Sequence, residues 1–170
     1  MLRLNSPAEL EELRKGILSK RDPHKPCITL CSGSACHASG SGEVAASIEA
    51  EIEKQGLSAE VDIRKTGCHG FCERGPIIVI HPEEICYLQI EPKDVPEIVS
   101  QTIKEKKVID RLLYTDPVTK EKIVHESEIP FYKFQERLVF GSNGSIDPKS
   151  IDDYLALGGV EFYRCRRRRG

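Results

Sequence analysis

Apolar residues in the first 105 positions recur at spacings that alternate between those of helices and those of strands. A capping box at residues 6–9, with proline at the first helical position, predicts a helix over about 7–20. A second amphipathic helix is predicted over 43–55, with Gly56 as its C′ residue. A third helix is predicted to begin at the capping sequence 94–97 and to carry apolar residues on one face.

Four segments between these helices have the character of strands. They are residues 27–31, 59–65, 77–80 and 85–90. The third of them is apolar on both faces, which is typical of a strand buried in the middle of a sheet. The resulting order is helix, strand, helix, strand, strand, strand, helix. It predicts a thioredoxin-like α/β fold, in which helices lie on both sides of a small mixed sheet.

The composition limits the core and the partners of the chain. Aromatic residues make up 6% of the 170 positions and tryptophan is absent, so the core must consist mainly of Ile, Val and Leu. The net charge of −2 includes five arginines in residues 164–170, whereas residues 1–163 carry 20 basic and 27 acidic side chains, a net charge of −7. An acidic body argues against nucleic acid as a partner.

The chain offers no apolar run long enough to span a bilayer and no apolar signal region at its N-terminus. We therefore expect a cytoplasmic protein without direct membrane insertion. Its seven cysteines are an odd number, and without a secretory signal they favour reduced thiols and metal binding over disulfides.

Four of the cysteines form two tight loops. The first loop reads Cys31-Ser-Gly-Ser-Ala-Cys36, the second reads Cys68-His-Gly-Phe-Cys72, and 31 residues separate them. Each pair can chelate one edge of an iron–sulfur cluster, and a glycine in each loop leaves room for inorganic sulfide. Because each loop follows a predicted strand, both pairs can meet at one end of one sheet. The pattern predicts a 2Fe-2S cluster and one-electron transfer.

The same cysteine spacing also suits a zinc site. A zinc ion held by four thiolates in a non-redox interaction module remains the alternative, since two cysteine hairpins also suit tetrahedral coordination. Dithiol exchange requires Cys-x-x-Cys, which the chain lacks, and the spacing differs from that of plant-type ferredoxins.

The remaining cysteines and the histidines beside the loops are not predicted to bind the cluster. Cys27 and Cys86 lie in apolar, strand-like runs and are expected in the core, and Cys165 lies in the arginine-rich tail. His37 and His69 each follow a cysteine of the loops and are expected to be polar loop residues, with a supporting hydrogen-bond role possible for either.

Two stretches of sequence carry a resemblance to known families. Cys31-x4-Cys36, Thr66-Gly67-Cys68-x3-Cys72 and the following Gly-Pro-Ile-Ile-Val resemble the thioredoxin-like 2Fe-2S ferredoxin domain over about residues 26–105. Ser145-Ile-Asp-Pro148, Ile151, Tyr154 and the glycine pair at 158–159 resemble the opening of the flavoprotein subunit of NADH:quinone oxidoreductase. Together they resemble the beta-type subunit of NAD(P)-linked, electron-bifurcating hydrogenases.

The resemblance implies a domain plan and an enzyme context. It divides the chain into an N-terminal helix (1–25), the ferredoxin domain (26–106), a linker packing on a partner outside the chain (107–137), the start of a flavin domain (138–159) and an atypical tail (160–170). The FMN and NADH loop of the family should follow Gly159 and is not in the sequence, so we expect a truncated chain that does not turn over alone.

In the full-length parent, an NADH dehydrogenase or NAD(P)-reducing hydrogenase, the resemblance implies FMN, NAD(P), 4Fe-4S clusters and other iron–sulfur subunits as partners. It leaves open the choice between NAD and NADP and the terminal electron acceptor. The family usually has a further cysteine where Asn143 stands, a departure expected to be harmless because that residue is not one of the four ligands.

Overall fold

The computed structural model describes Leu4 and residues 6–158, so the tail at 160–170 and Cys165 lie outside the described residues. Within this part of the chain, no helix combines the length and the apolar character needed to cross a bilayer. The predicted order of elements is confirmed as far as residue 104, and short elements follow it.

A four-stranded mixed sheet forms the centre of the molecule. Its strands are β1 (Cys27–Cys31), β2 (Asp62–Thr66), β3 (Ile77–His81) and β4 (Ile85–Leu88). The spatial order is β2-β1-β3-β4, with β1 parallel to β2 and antiparallel to β3. This arrangement is the predicted thioredoxin-like sheet.

Both faces of this sheet are buried. Successive side chains of β3 and β4 point to opposite sides of the sheet, and nearly all of them are buried. Ile78, Ile80 and Tyr87 belong to the larger apolar cluster, which also contains apolar residues of the helices over 41–54 and 95–104. Ile77 and Cys86 belong to a second cluster on the other face, together with Cys31 and Cys36. The predicted cysteine loops therefore adjoin the second face.

The helices at the N-terminal side follow their sequence signals. Helix α1 (Pro7–Leu18) is capped by Ser6, whose side chain accepts a hydrogen bond from the Glu9 amide at 3.2 Å. A short helix, α2 (Ser34–Ala38), precedes α3 (Ser41–Lys54). Gly56 has a φ of 71°, as expected of a C′ residue.

The third long helix begins one turn earlier than predicted. A 3-10 turn at Pro92–Asp94 leads into α4 (Val95–Glu97) and a π-helical segment, Ile98–Lys104. The Asp94 carboxylate accepts the Glu91 amide at 2.9 Å, which makes Glu91 the capping residue and places Asp94 inside the first turn.

Residues beyond 106 complete the core of this chain. Ile109, Leu112 and Leu113 are 4%, 5% and 8% exposed and belong to the larger apolar cluster. The Ile109 amide donates a hydrogen bond to the buried Tyr87 hydroxyl at 2.9 Å. These three apolar residues therefore find their contacts within the chain, whereas Val118 and Phe134 are 86% and 81% exposed. The packing of residues 107–137 on a partner stays a prediction.

Short elements follow this stretch. They are a 3-10 turn (Asp110–Leu112), strands β5 (Tyr114–Thr115) and β6 (Lys122–Ile123), a 3-10 turn (Glu126–Glu128), helix α5 (Pro130–Lys133) and helix α6 (Ile151–Ala156). The hairpin of β5 and β6 and helix α5 cover the second face of the sheet, where their apolar residues pack against the second cluster.

The C-terminal helix α6 is attached through one buried carboxylate. Asp153 is 5% exposed and forms ion pairs with Arg21 at 2.5 Å and Arg64 at 3.3 Å. Its second oxygen also accepts the Asp147 amide at 2.7 Å. Through these ion pairs, helix α6 is held against strand β2 and against the segment that follows α1. Ile17 of α1 also packs on α6.

Candidate metal centre

Parallel pairing of two strands brings the cysteine loops together. Cys31 is the last residue of β1 and lies opposite Thr66, the last residue of β2. Cys68 follows Thr66 by two residues, so both loops leave the same end of the sheet. The sequence predicted this juxtaposition, and the strand register confirms it.

The four sulfur atoms form two pairs. The sulfurs of Cys68 and Cys72 are 3.8 Å apart. The Cys36 thiol donates a hydrogen bond to Cys31, which is the main reason that the pKa of Cys31 is lowered to about 5. The pKa of Cys36 is raised by the same bond, then by burial and by the negative charges of the other three sulfurs. All four sulfurs therefore share one electrostatic environment.

Backbone amides donate hydrogen bonds to these sulfurs. The amides of His69 and Gly33 donate to Cys31, and both interactions lower its pKa. The Gly70 amide donates to Cys68 Sγ at 3.3 Å. Amides aimed at sulfur stabilise negative charge there, as thiolate ligands require.

Two glycines allow the loops to approach each other. A Cβ added to Gly33 would lie 3.0 Å from Cys68 Cβ, and one added to Gly75 would lie 2.5 Å from Cys36 Sγ. Gly33 thus lets the first loop approach the second, and Gly75 lets the chain pass Cys36. The role expected of Gly33 was room for the cluster; the structure shows close contact between the loops.

The chemistry of this donor set suits a cluster with two irons. The sulfurs come in pairs, each pair with a backbone amide directed at it, and a 2Fe-2S cluster requires two thiolates on each iron.

The other two described cysteines lie away from this set of interactions. Cys86 is fully buried among apolar residues, and burial strongly raises the pKa of its thiol. Cys27 is partly exposed at the start of β1, and burial also raises its pKa. Unlike the four loop sulfurs, neither thiol is affected by another sulfur: the charge that acts on Cys86 is that of Glu126, and the largest charge effect on Cys27 is that of Arg64.

His69 is a polar loop residue, as predicted, and it has the supporting hydrogen-bond role that the sequence left open. It is 1% exposed, and both of its ring nitrogens have partners: Nε2 lies 3.1 Å from Thr66 Oγ1, and Nδ1 lies 2.6 Å from Glu126 Oε1. The ring thereby fixes the second loop, while its backbone amide contacts Cys31. His37, in contrast, is exposed.

Sequence reasoning missed the residues that cover the second loop, which we call the cover segment, residues 126–144. Phe131 stacks on Phe71 with ring centroids 4.4 Å apart, and Gly144 lies against the His69 ring. The Asn143 backbone oxygen lies against Gly67. No local spacing could reveal these contacts, because at least 57 residues separate the partners.

Comparisons with known proteins agree with this site. A family profile described as thioredoxin-like [2Fe-2S] ferredoxin matches residues 17–103, which include all four loop cysteines. A 2Fe-2S ferredoxin from Clostridium pasteurianum is 38% identical over 77 residues, which cover 45% of this chain and 76% of that protein.

Solved structures give the same result for the fold. A crystal structure of a cysteine-to-serine variant of the thioredoxin-like [2Fe-2S] ferredoxin from Aquifex aeolicus matches with a TM-score of 0.50 and 27% identity, covering 54% of this chain and 99% of that chain. An NAD+-reducing [NiFe]-hydrogenase structure is a distant match, with a TM-score of 0.42 and 12% identity, covering 63% of this chain and 22% of that chain. That likeness is too distant to carry a conclusion about function.

Proposed function

We propose that this chain, which belongs to the thioredoxin-like [2Fe-2S] ferredoxin family, is an electron carrier that holds its cluster through Cys31, Cys36, Cys68 and Cys72. When bound, a 2Fe-2S cluster accepts and releases one electron. The observation that carries the proposal is the parallel pairing of β1 with β2, which places two cysteine pairs at one end of the sheet.

The surroundings of the loops suit a group that gains negative charge. Cys31 and Cys36 are 1% and 2% exposed, and burial raises the free energy of any added charge. The amides of Gly33, His69 and Gly70 oppose that effect by donating hydrogen bonds to sulfur. Cys72 is the exposed ligand of the set, so it offers the shortest route for an electron between the cluster and a partner.

Metal analysis and visible absorption test the proposal directly. Protein purified without oxygen is expected to be coloured and to contain about two irons and two acid-labile sulfides per chain. Reduction by dithionite should bleach the visible bands. A colourless protein with one zinc ion per chain would overturn the proposal and favour a structural zinc site, because zinc has no visible absorption and no redox change.

We further propose that the chain serves an NAD(P)-linked flavin oxidoreductase in the cytoplasm, alongside other iron–sulfur subunits. The resemblance of residues 145–159 to the opening of a flavoprotein subunit supports this assignment. The contacts of that stretch are consistent with a fused arrangement: Ile146 accepts the Gly67 amide at 3.3 Å, and Ser145 accepts Arg64 at 3.0 Å. The stretch is thus attached directly beside the second cysteine loop.

This assignment predicts which electron donors work. The chain lacks the glycine-rich loop that binds FMN and NADH, so NADH alone should leave the cluster oxidised and calorimetry should show no micromolar NADH binding. Addition of the flavoprotein subunit of an NADH:quinone oxidoreductase together with NADH should reduce the cluster. Reduction of the cluster by NADH alone would contradict this division of roles. The same holds if dithionite reduces the cluster but NADH together with the flavoprotein subunit does not.

A further inference from the structure

One cation of the cover segment lies against the second cysteine loop. Arg137 is half-buried in an otherwise exposed run of residues, 133–140. A Cβ added to Gly70 would lie 2.6 Å from Arg137 Nη2 and 3.3 Å from its Cζ. The guanidinium therefore rests on Gly70, which lies midway in sequence between Cys68 and Cys72.

Aromatic side chains hold the guanidinium in this place. Arg137 Cζ lies 5.7 Å from the centre of the Tyr132 ring, within the range of a cation–π interaction. Tyr132 meets Phe71 edge to face, with centroids 6.0 Å apart, and Phe71 stacks on Phe131. Because Phe71 belongs to the second cysteine loop, these ring contacts connect the Arg137 guanidinium to that loop.

Arg137 forms no ion pair within the part of the chain that the structure describes. Glu126, the carboxylate beside Tyr132, is instead paired with His69 at 2.6 Å. The guanidinium instead lies beside the loop of Cys68, whose sulfur accepts the amide of the same Gly70 at 3.3 Å. A half-buried guanidinium without a carboxylate partner is suited to a site where negative charge collects.

We propose that Arg137 sets the reduction potential of the cluster by stabilising the negative charge that reduction adds. The inference rests on the proposed function, because it requires a cluster held by Cys68 and Cys72. Arg137 lies outside the family match at 17–103. Through Arg137, the cover segment would therefore adjust the potential of a cluster whose ligands all lie within the matched domain. Its cation favours the reduced form and raises the potential.

Three variants test the charge of Arg137 separately from its size. Arg137→Gln removes the charge, Arg137→Lys retains it, and Lys133→Gln removes the same charge from an exposed position four residues away. The measured quantity is the midpoint potential of each iron-loaded protein. Arg137→Gln should lower the equilibrium constant for reduction on the order of tenfold, which corresponds to a fall of about 59 mV in the midpoint potential. The midpoint potentials of the other two variants should remain near the wild-type value.

The outcomes separate this inference from the proposed function. A wild-type protein without a cluster would refute the proposed function, whereas equal potentials in loaded wild type and loaded Arg137→Gln would refute only the role of Arg137. An equal fall in Arg137→Lys and Arg137→Gln would show that shape rather than charge matters. If Arg137→Gln takes up no iron, Arg137→Met is measured instead, and failure of both to load would assign Arg137 a purely structural role.

Discussion

Replacing any one of the four proposed ligands by alanine is expected to lower the iron and sulfide content of the protein at least about tenfold. The ligands are Cys31, Cys36, Cys68 and Cys72. Each iron of a 2Fe-2S cluster needs two protein ligands, so the loss of one thiolate opens that iron to water and chelators. Alanine is chosen because the hydroxyl oxygen of serine can still bind iron.

Cysteines outside the loops provide the matched controls. Cys27→Ala and Cys165→Ala should load fully, and Cys86→Ala should load while losing some stability, because Cys86 is fully buried. Iron content, sulfide content and the visible spectrum are measured on each variant. Full loading of Cys72→Ala would contradict the assignment most directly, since Cys72 is the exposed member of the set.

The site was predictable from the sequence to the extent that it depends on local signals. Strand patterns ending at Cys31 and just before Cys68 were sufficient to place both loops at one sheet end, because β1 and β2 are separated by helices α2 and α3 and such helical crossovers join parallel strands. Gly56 was identified as a C′ residue for the same reason: its effect acts within one turn of its own helix.

Features that depend on distant partners were not predictable. His69 carries no local sign of burial: Thr66, three residues before it, binds one ring nitrogen, but the partner of the other nitrogen, Glu126, lies 57 positions away. Ile109 belongs to a charged stretch, yet its side chain is buried in the larger apolar cluster and its amide donates a hydrogen bond to the Tyr87 hydroxyl, 22 positions away. The third helix begins early because Glu91 caps it and donates its amide to the Asp94 carboxylate, which also pairs with Arg111, a residue 17 positions away.

Gly75→Ala is expected to impair cluster assembly although it changes no ligand. Gly75 has φ −76° and ψ 161°, a backbone conformation that alanine adopts freely, so the effect of the substitution comes from contact alone. The added Cβ would lie 2.5 Å from Cys36 Sγ, and the Cys36 thiol is buried and hydrogen-bonded to Cys31. The sulfur must therefore move away from its position beside the other three.

We expect Gly75→Ala to reduce the iron content several-fold and to lower the free energy of unfolding by about 1–3 kcal/mol, as overpacking typically does. Gly16→Ala is the matched control: nothing lies within 4 Å of its added Cβ, and its position inside α1 should raise stability by about 0.5–1 kcal/mol with full iron content. Iron analysis and urea unfolding of both variants give the comparison. Wild-type loading and spectrum in Gly75→Ala would show that Cys36 can shift without cost, and the close approach at Gly75 would then have no part in holding the cluster.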